Sequence, residues 1–551
     1  NRIPNGAPVT KMIDKLIAEY SPSAPFLSLP SLVNIYKAIS TLPEGYWRNE
    51  KLKETVSLIQ ACSGLYLEAT VPQAYALVNQ TIPVTLRVVN RAPVSIILNS
   101  VKLNMQDTSC NMQLQPGINY SIVRRISLRD LPVSQPYWLV DPMSPGSYNV
   151  HVQTLIGDPE NPPALEAFCT ITLSGESFLL KQRVNYKFTD PVKGETYQPL
   201  TIVPALMAYC DPSLLVFTKG KEQDLTVMIQ QKALKNPDEG KSGIVSTAAM
   251  NTSTQPPTAI NLTSLSDFET RKMDMTMKSQ NFTLKSKSSG DLNQLAWVTG
   301  LNQGVLDTLS QCRTISYDHI PRIDYFKPAK STVVAVSLKT VGNRIGYIDG
   351  AGDKVAEALT AMGYTVIRLD ENTLSTSVLQ NLDAVIAGVR AYDVHDWLAG
   401  KYNILMEYIK NGGNLIVQYN RNQGVDSTNI GPFPFGISNG RVTEEDAAVN
   451  FLLPAHRVLN YPNQISNKDF DGWIQERGIY FAQHIDPRYQ AVLSMHDTGE
   501  SDLNGSLITG SYGKGWFTYT GLVFFRELPA GVPGAYRLLA NIIALNHTKD
   551  N

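Results

Sequence analysis

Cysteine is scarce in this 551-residue chain: five residues (Cys62, Cys110, Cys169, Cys210 and Cys312), with no CxxC pair and none after residue 312. That spacing argues against a zinc ribbon and a dense disulfide framework, and the odd number leaves at least one thiol without a partner in the chain. An excess of charge of one sign is lacking too. The formal net charge of -1 provides no electrostatic footprint for nucleic acid or an anionic membrane. No apolar run approaches the roughly 20 residues of a membrane-spanning helix. Seven histidines are scattered without an H-E-x-x-H, and His395-Asp396, His484-x-Asp486 and His496-Asp497 read as surface loop residues, so no metal site is expected in this chain. The first residue is Asn1, and no signal-peptide pattern follows it, so the expectation is a mature form or a fragment cut from something longer.

What is present suffices for several cores, with 43% hydrophobic and 18% charged residues. The spacing predicts a multidomain chain. Residues 1–62 read as short amphipathic helices, a linker segment. "KMIDKLIAEY" aligns Met12, Ile13, Leu16, Ile17 and Tyr20, and "LKETVSLIQAC" aligns Leu52, Val56 and Ile59. From Gly64 the period falls to two. "LYLEATV", "IPVTLRVVN", "VSIILNSVKLN", "NYSIVRRISL", "SYNVHVQTLIG" and "AFCTITLSG" predict an antiparallel β-sandwich over 63–175. A second β-sandwich is expected over 176–330, interrupted by a polar loop rich in Ser, Thr and Pro at 235–266. Residues 331–551 alternate strand and helix, from "RIGYIDG" to "GAYRLLANIIALN", with a long insertion near 430–500. Strands this apolar on both faces predict a doubly wound α/β domain of flavodoxin-like type.

"YIDGAGDKVAEALTAMGYTVIRLD" (347–370) invites comparison with a dinucleotide-binding fingerprint. G-x-G-x-x-G needs a small third residue so that helix and strand pack closely. Here Gly350 and Gly352 are followed by Val355, and Asp370 is an acid of a kind common at strand ends. The reading that remains is a tight turn between strand and helix. Thiol catalysis of the glutamine amidotransferase type is excluded by position, because every cysteine precedes the domain. After the fourth strand stands "VQYNRNQG", without Cys or Ser at the turn, and no serine-hydrolase elbow is expected elsewhere.

Open α/β sheets bind ligands at the carboxyl ends of their strands. The candidates there are Asp349, Arg390, Asn420 and Arg526, joined from the insertion "DFDGWIQERGIYF" by Trp473, Glu476 and Arg477. Together they could form a polar crevice for a sugar or an anion. The competing reading is that their charges tie the insertion to the sheet.

Several stretches resemble one multidomain family. They are "YWLVDPMSPGSYNV", "LIGDPENPPAL", "DPVKGETYQPLTIVPAL", "YDHIPRIDYF", "RIGYIDGAGDKVAEAL", "AVIAGVRAYDV", "FDGWIQERGIYF", "DPRYQAVLSMHDTGE" and "YGKGWFTYTGLVFFRELPAGVPGAYRL". The chain is similar to the long PIG-L (LmbE-like) deacetylases of Bacteroidetes and related bacteria. In these a zinc-dependent N-deacetylase domain precedes helices, β-sandwiches and an amidotransferase-like domain, and the last domain also resembles trehalose-utilisation-type proteins. The family's His-Pro-Asp-Asp type motif is absent here, so no catalytic residue carries over. The resemblance therefore implies a non-catalytic accessory region of a secreted, periplasmic or cell-surface deacetylase acting on N-acetylated sugars. Its partner would be its own deacetylase domain and possibly a glycan. The zinc would sit in that absent domain, with no cofactor in this chain. Two alternatives are a sugar-binding or sugar-modifying α/β enzyme and a purely structural or oligomerising region.

Overall fold

The computed structural model describes residues 4–144, 146–218, 221–230, 260–276, 278–288, 290–302, 305–422 and 429–547. Most of the polar loop expected at 235–266 lies outside them. The chain forms two compact units, one mainly Asn1–Met207 with Ser310–Lys327, the other mainly Ala208–Ile229, Pro256–Leu309 and Pro328–Asn551.

The first unit opens with helices Ala7–Glu19, Leu29–Ser40 and Tyr46–Cys62. Val9, Ile35 and Ile39 make a small apolar cluster among these helices. Leu29, Leu32, Val33 and Ile59 instead join the apolar cluster of the following sheet, where Tyr36 meets Phe178 edge-on at 5.1 Å. The first helix buries only Val9, and Ile13, Ile17 and Tyr20 of its expected apolar stripe are exposed.

Seven strands follow one another across the sheet in the order Gln106–Leu114, Ile96–Leu103, Glu166–Leu173, Glu176–Asp190, Leu65–Val71, Thr81–Asn90 and Asn119–Ser127. Thr81–Asn90 shows why the period of two matters, since Ile82, Val84, Leu86 and Val88 face the core and the residues between them do not. Three expectations need correction. Glu176–Asp190 pairs antiparallel with Glu166–Leu173 and then parallel with Leu65–Val71, so the boundary expected at 175/176 falls inside this sheet. A strand that changes partners along its length turns the corner of a β-sandwich, and 15 residues is long enough to do so. Residues 147–157 form no strand beyond a single bridge at Ser147. They hold one short 3-10 turn, and their alternating Tyr148, Val152 and Ile156 stay exposed. The polar run Gln106–Leu114 is a strand, paired on one side only.

Asn90 is fully buried at the end of its strand. Its Nδ2 donates to the carbonyls of Val94 (2.8 Å) and Leu114 (3.1 Å), and its Oδ1 accepts from the Ala92 amide at 3.2 Å. Asn90→Ala strands three backbone groups out of water, at about 1–3 kcal/mol for an unpaired buried group. We expect a loss of about 2–4 kcal/mol in urea unfolding monitored by circular dichroism. A change within about 0.5 kcal/mol would contradict the role assigned to this side chain.

In the second unit Phe268–Met275, Ser279–Ser286 and Glu222–Gln230 pair antiparallel. A second layer is ordered Leu214–Phe217, Lys330–Ala335, Leu292–Asn302, Asn261–Thr263. Val216, Val334 and Val336 of this layer share one apolar cluster with the α/β domain that follows.

That domain is built on β1 (Arg344–Ile348), β2 (Thr365–Leu369), β3 (Ala384–Ala387), β4 (Asn414–Gln418), β5 (Gln490–Ala491), β6 (Leu507–Tyr512) and β7 (Gly515–Thr520). The order across the sheet is β2-β1-β3-β4-β7-β6-β5, parallel through β7 and antiparallel for β6 and β5. Alternate residues enter different cores. Ile345, Tyr347, Ile386 and Ile416 pack with Leu359 of helix Val355–Met362 and Leu539 of helix Pro533–Ile543. Ile348, Val385, Leu415 and Val417 pack with Leu405 and Ile409 of helix Tyr402–Lys410. Burial on both faces is what made these strands read as unbroken apolar runs.

Candidate functional site

At the carboxyl ends of β1 and β3 the chain reverses its order across the sheet, the usual ligand crevice of such folds. Here that crevice is filled by the protein itself. A Cβ on Gly350 would stand 2.0 Å from the carbonyl oxygen of Val389, and the Ala351 amide donates to that oxygen at 2.8 Å. The amide at the start of helix Val355–Met362 is taken by Asp353, whose Oδ1 accepts from Val355 at 3.0 Å and whose Oδ2 accepts from Val389 at 3.1 Å. The buried Tyr347 hydroxyl donates to the same carboxylate. An internal anion thus occupies the place a phosphate would need. Asp370 spends its Oδ1 on the amides of Asn372 and Thr373, at 2.9 and 2.8 Å, and on the Thr373 hydroxyl at 2.9 Å. Val355 is fully buried.

The sequence candidates separate into an interior set, one exposed acid and a set gathered at the end of β4. Asn420, Trp473 and Arg477 are interior. Asn420 is fully buried, accepting from the Tyr392 amide at 3.0 Å and donating to the Gln418 carbonyl at 3.0 Å. Trp473 packs between Phe470 and Phe524, its indole N–H on the Asp469 carbonyl at 3.0 Å. Arg477 donates through Nε and Nη2 to Ala447 O, at 3.0 and 2.9 Å, and through Nη1 to Phe470 O. Asp349 lies at the β1 end, largely exposed, its carboxylate held by Arg368 and its carbonyl by the His395 ring.

Arg390, Glu476 and Arg526 are brought together around Tyr419, the residue after β4. The Arg390 amide donates to the Tyr419 carbonyl at 2.8 Å, and its Nε donates to Asp393 Oδ2 at 3.2 Å. Asp393, its side chain 1% exposed, also receives Arg421 at 3.4 Å. Glu476 is 2% exposed and bridges Arg441 (2.6 Å) and Arg526 (3.1 Å). The Tyr419 ring meets Tyr480 at 5.6 Å and Phe525 at 5.7 Å. Burial first, then the charge of Glu476, pushes the Tyr419 phenol up, against Arg526 and Arg390. Sequence reading missed Tyr419, Tyr480, Asp393 and Arg421. For Tyr419, Arg421 and Asp393 the only signal was adjacency to strand ends in "VQYNRNQG" and "AGVRAYDV", and Tyr480 lies in the insertion stretch "FDGWIQERGIYF".

The G-x-S-x-G spacing does occur, as Gly436-Ile437-Ser438-Asn439-Gly440. It makes no nucleophile elbow. Gly436–Ile437 is a two-residue strand outside the main sheet, no helix follows, and the Ser438 hydroxyl donates to Phe481 O at 2.8 Å. Among the described residues, no group of three or more His, Cys, Asp or Glu could hold a metal ion, and no helix is long and apolar enough to cross a membrane.

Glu527 is fully buried beside this region, and both its oxygens face the Ile474 amide, at 3.0 and 3.2 Å. Burial pushes its carboxyl up to about 8, against that amide and the charge of Arg477. A raised folded-state value means the contribution to stability is complete below the unfolded value and fades as pH rises toward 8. Glu527→Gln keeps an acceptor for Ile474 without a charge to bury. It should melt close to the parent at pH 5 and be more stable by about 2–4 kcal/mol at pH 9. Equal stabilities at pH 9 would show that the carboxylate is charged at little cost.

No family model and no curated protein matches the chain. Among solved structures, a protein of unknown function from Porphyromonas gingivalis W83 is similar at 8% identity over 49% of this chain and 99% of its own, with a TM-score of 0.13. The alkylpurine DNA glycosylase AlkC of Pseudomonas fluorescens aligns at 11% identity over 31% of this chain and 50% of its own, with a TM-score of 0.13. An ICAM-5 D1-D4 ectodomain fragment aligns at 9% identity over 51% and 56%, with a TM-score of 0.15. At such scores these likenesses carry no argument about fold or function.

Proposed function

We propose that this chain is an accessory, non-catalytic region of a PIG-L-type (LmbE-like) N-deacetylase acting on N-acetylated sugars at the cell surface or in the periplasm. The C-terminal domain is then a flavodoxin-like, amidotransferase-like module without its nucleophile, and the β domains serve as spacers or glycan-binding modules. One observation carries the non-catalytic reading. Where β4 ends and a thiol would be required, Tyr419 and the buried Asn420 stand, the latter spent on Tyr392 and Gln418. Asp393 and Glu476 are likewise committed to arginines rather than presented as a general acid and base. The donor set of the described residues does not fit a zinc site, so no step is derived through zinc here. The family assignment itself rests on the sequence stretches quoted above.

The test compares this chain with a polypeptide that also carries a deacetylase domain, in a zinc-supplemented assay of acetate release from N-acetylglucosamine conjugates. Release only by the longer form is the expected result. Release by this chain alone would overturn the accessory reading and favour the alternative of a sugar-modifying α/β enzyme.

A further inference from the structure

Two arginines of the strand-end group are held in an unusual way. Arg390 gives only its Nε to Asp393, and among the described residues its side chain makes no other hydrogen bond. Arg526 gives Nε to Glu476 and Nη1 to Gln475, which leaves Nη2 over. Both side chains are about one-third exposed, 32% and 33%, while the carboxylates beneath them are buried. A buried acid behind the Nε of each arginine fixes the fork, and its remaining N–H donors meet solvent. Arg441, the other partner of Glu476, has a further acid nearby, since Asp497 feels its charge. Among the described residues, positive charge is therefore left uncompensated on the Tyr419 side.

The surface around Tyr419, whose phenol feels both arginines, is aromatic. Tyr480 and Phe525 are half-buried against Tyr419, and the Arg526 guanidinium stands 4.8 Å over the Phe525 ring. The backbone around it is strained. Arg390, Gln475 and Tyr480 all take left-handed conformations without being glycine, with φ of 60°, 68° and 57°. Such conformations are unfavourable for a residue with a side chain and persist where the surroundings over-determine them, as at binding sites. An apolar floor with a few fixed polar groups is the usual make-up of a small-molecule site.

We propose that this basin, with Arg390 and Arg526 as its forks and Tyr419, Tyr480 and Phe525 as its floor, binds a monosaccharide carrying an oxyanion. The sugar part of this assignment rests on the proposed function, whereas the oxyanion follows from the forks. A carboxylate and a phosphate present the same paired oxygens to a guanidinium. The source is thus either a uronic acid or a sugar phosphate.

Isothermal titration of the whole chain with glucuronate, glucose 6-phosphate and glucose tests it. Saturation below about 1 mM by either anionic sugar, weakened by added salt and absent for glucose, is the expected result. Whichever of the two binds identifies the oxyanion. Arg390→Lys and Arg526→Lys keep the charge over each buried acid but remove the fork, and each should weaken binding tenfold or more. Arg183→Gln, in the other unit, should not. Thermal melting of each variant separates lost binding from lost folding, and Arg390→Gln and Arg526→Gln serve where a lysine variant does not fold. Failure of both anions to saturate, equal binding of glucose, or unchanged affinity in folded fork variants would overturn the site. None of these would bear on the deacetylase assay, which tests the accessory reading separately.

Discussion

A carboxylate removed from water must find hydrogen-bond donors or give up its charge, and the α/β domain is organised around five that have been buried or half-buried. Asp353 is met by two backbone amides and the Tyr347 hydroxyl, which locks the β1 turn to the β3 turn. Asp393 and Glu476 are each met by two arginines, and Asp469 by Arg537 at 2.6 Å and by the Ser466 amide at 2.8 Å. Glu527, among the described residues, has one backbone amide and no cation within ion-pair distance, and burial pushes its carboxyl up to about 8. Each solution fixes a loop that apolar packing alone would leave free to slide.

The same logic explains how a long insertion with almost no regular structure becomes part of the core. Its strands are two residues long, yet Val442, Val458, Phe470, Trp473 and Phe481 enter the cluster that covers one face of the sheet. Side chains replace the missing ladder hydrogen bonds. Buried Asn541 donates to the carbonyls of Val458 (2.9 Å) and Asn463 (2.7 Å), while Asn463 donates to Lys339 O at 2.9 Å. Arg537 joins Asp469 of the insertion to Asp291 of the β layer, at 2.6 Å each, so both are fastened to one helix. Buried polar groups satisfied in this way specify one arrangement, because any shift leaves several of them unpaired.

What could be read from the sequence follows from where burial is one-sided, two-sided or missing. Ile82 to Val88 announced a half-buried strand, and the apolar β1, β3 and β4 announced a sheet covered on both faces. Gln106–Leu114 had no such signal because most of its residues meet solvent at a sheet edge. Residues 147–157 gave a false one, since their alternation has no core opposite it. The partner change within Glu176–Asp190 is a tertiary event that no local period encodes. At the site, strand-end position pointed to Arg390 and Arg526, which lie partly exposed beside buried acids. Residue type misled at Trp473 and Arg477, which read as functional in a loop and are in fact interior.

Arg477 and Arg526 make the distinction concrete. Arg477 is 4% exposed, and each of its three nitrogens donates to one of two carbonyl oxygens of the protein. Arg526 meets its acid through Nε and keeps an outer donor over an aromatic floor. An arginine retained to tie down a loop gains by spending every donor on the protein, because each donor left in a low-dielectric place is a liability. A fork that is anchored from behind and open in front is stable only where water or an oxyanion takes the open side. Position in the chain could not separate these two residues. The direction from which each guanidinium is satisfied does: Arg477 is spent inside the protein, and Arg526 turns an outer donor to the surface where the proposed ligand would be met.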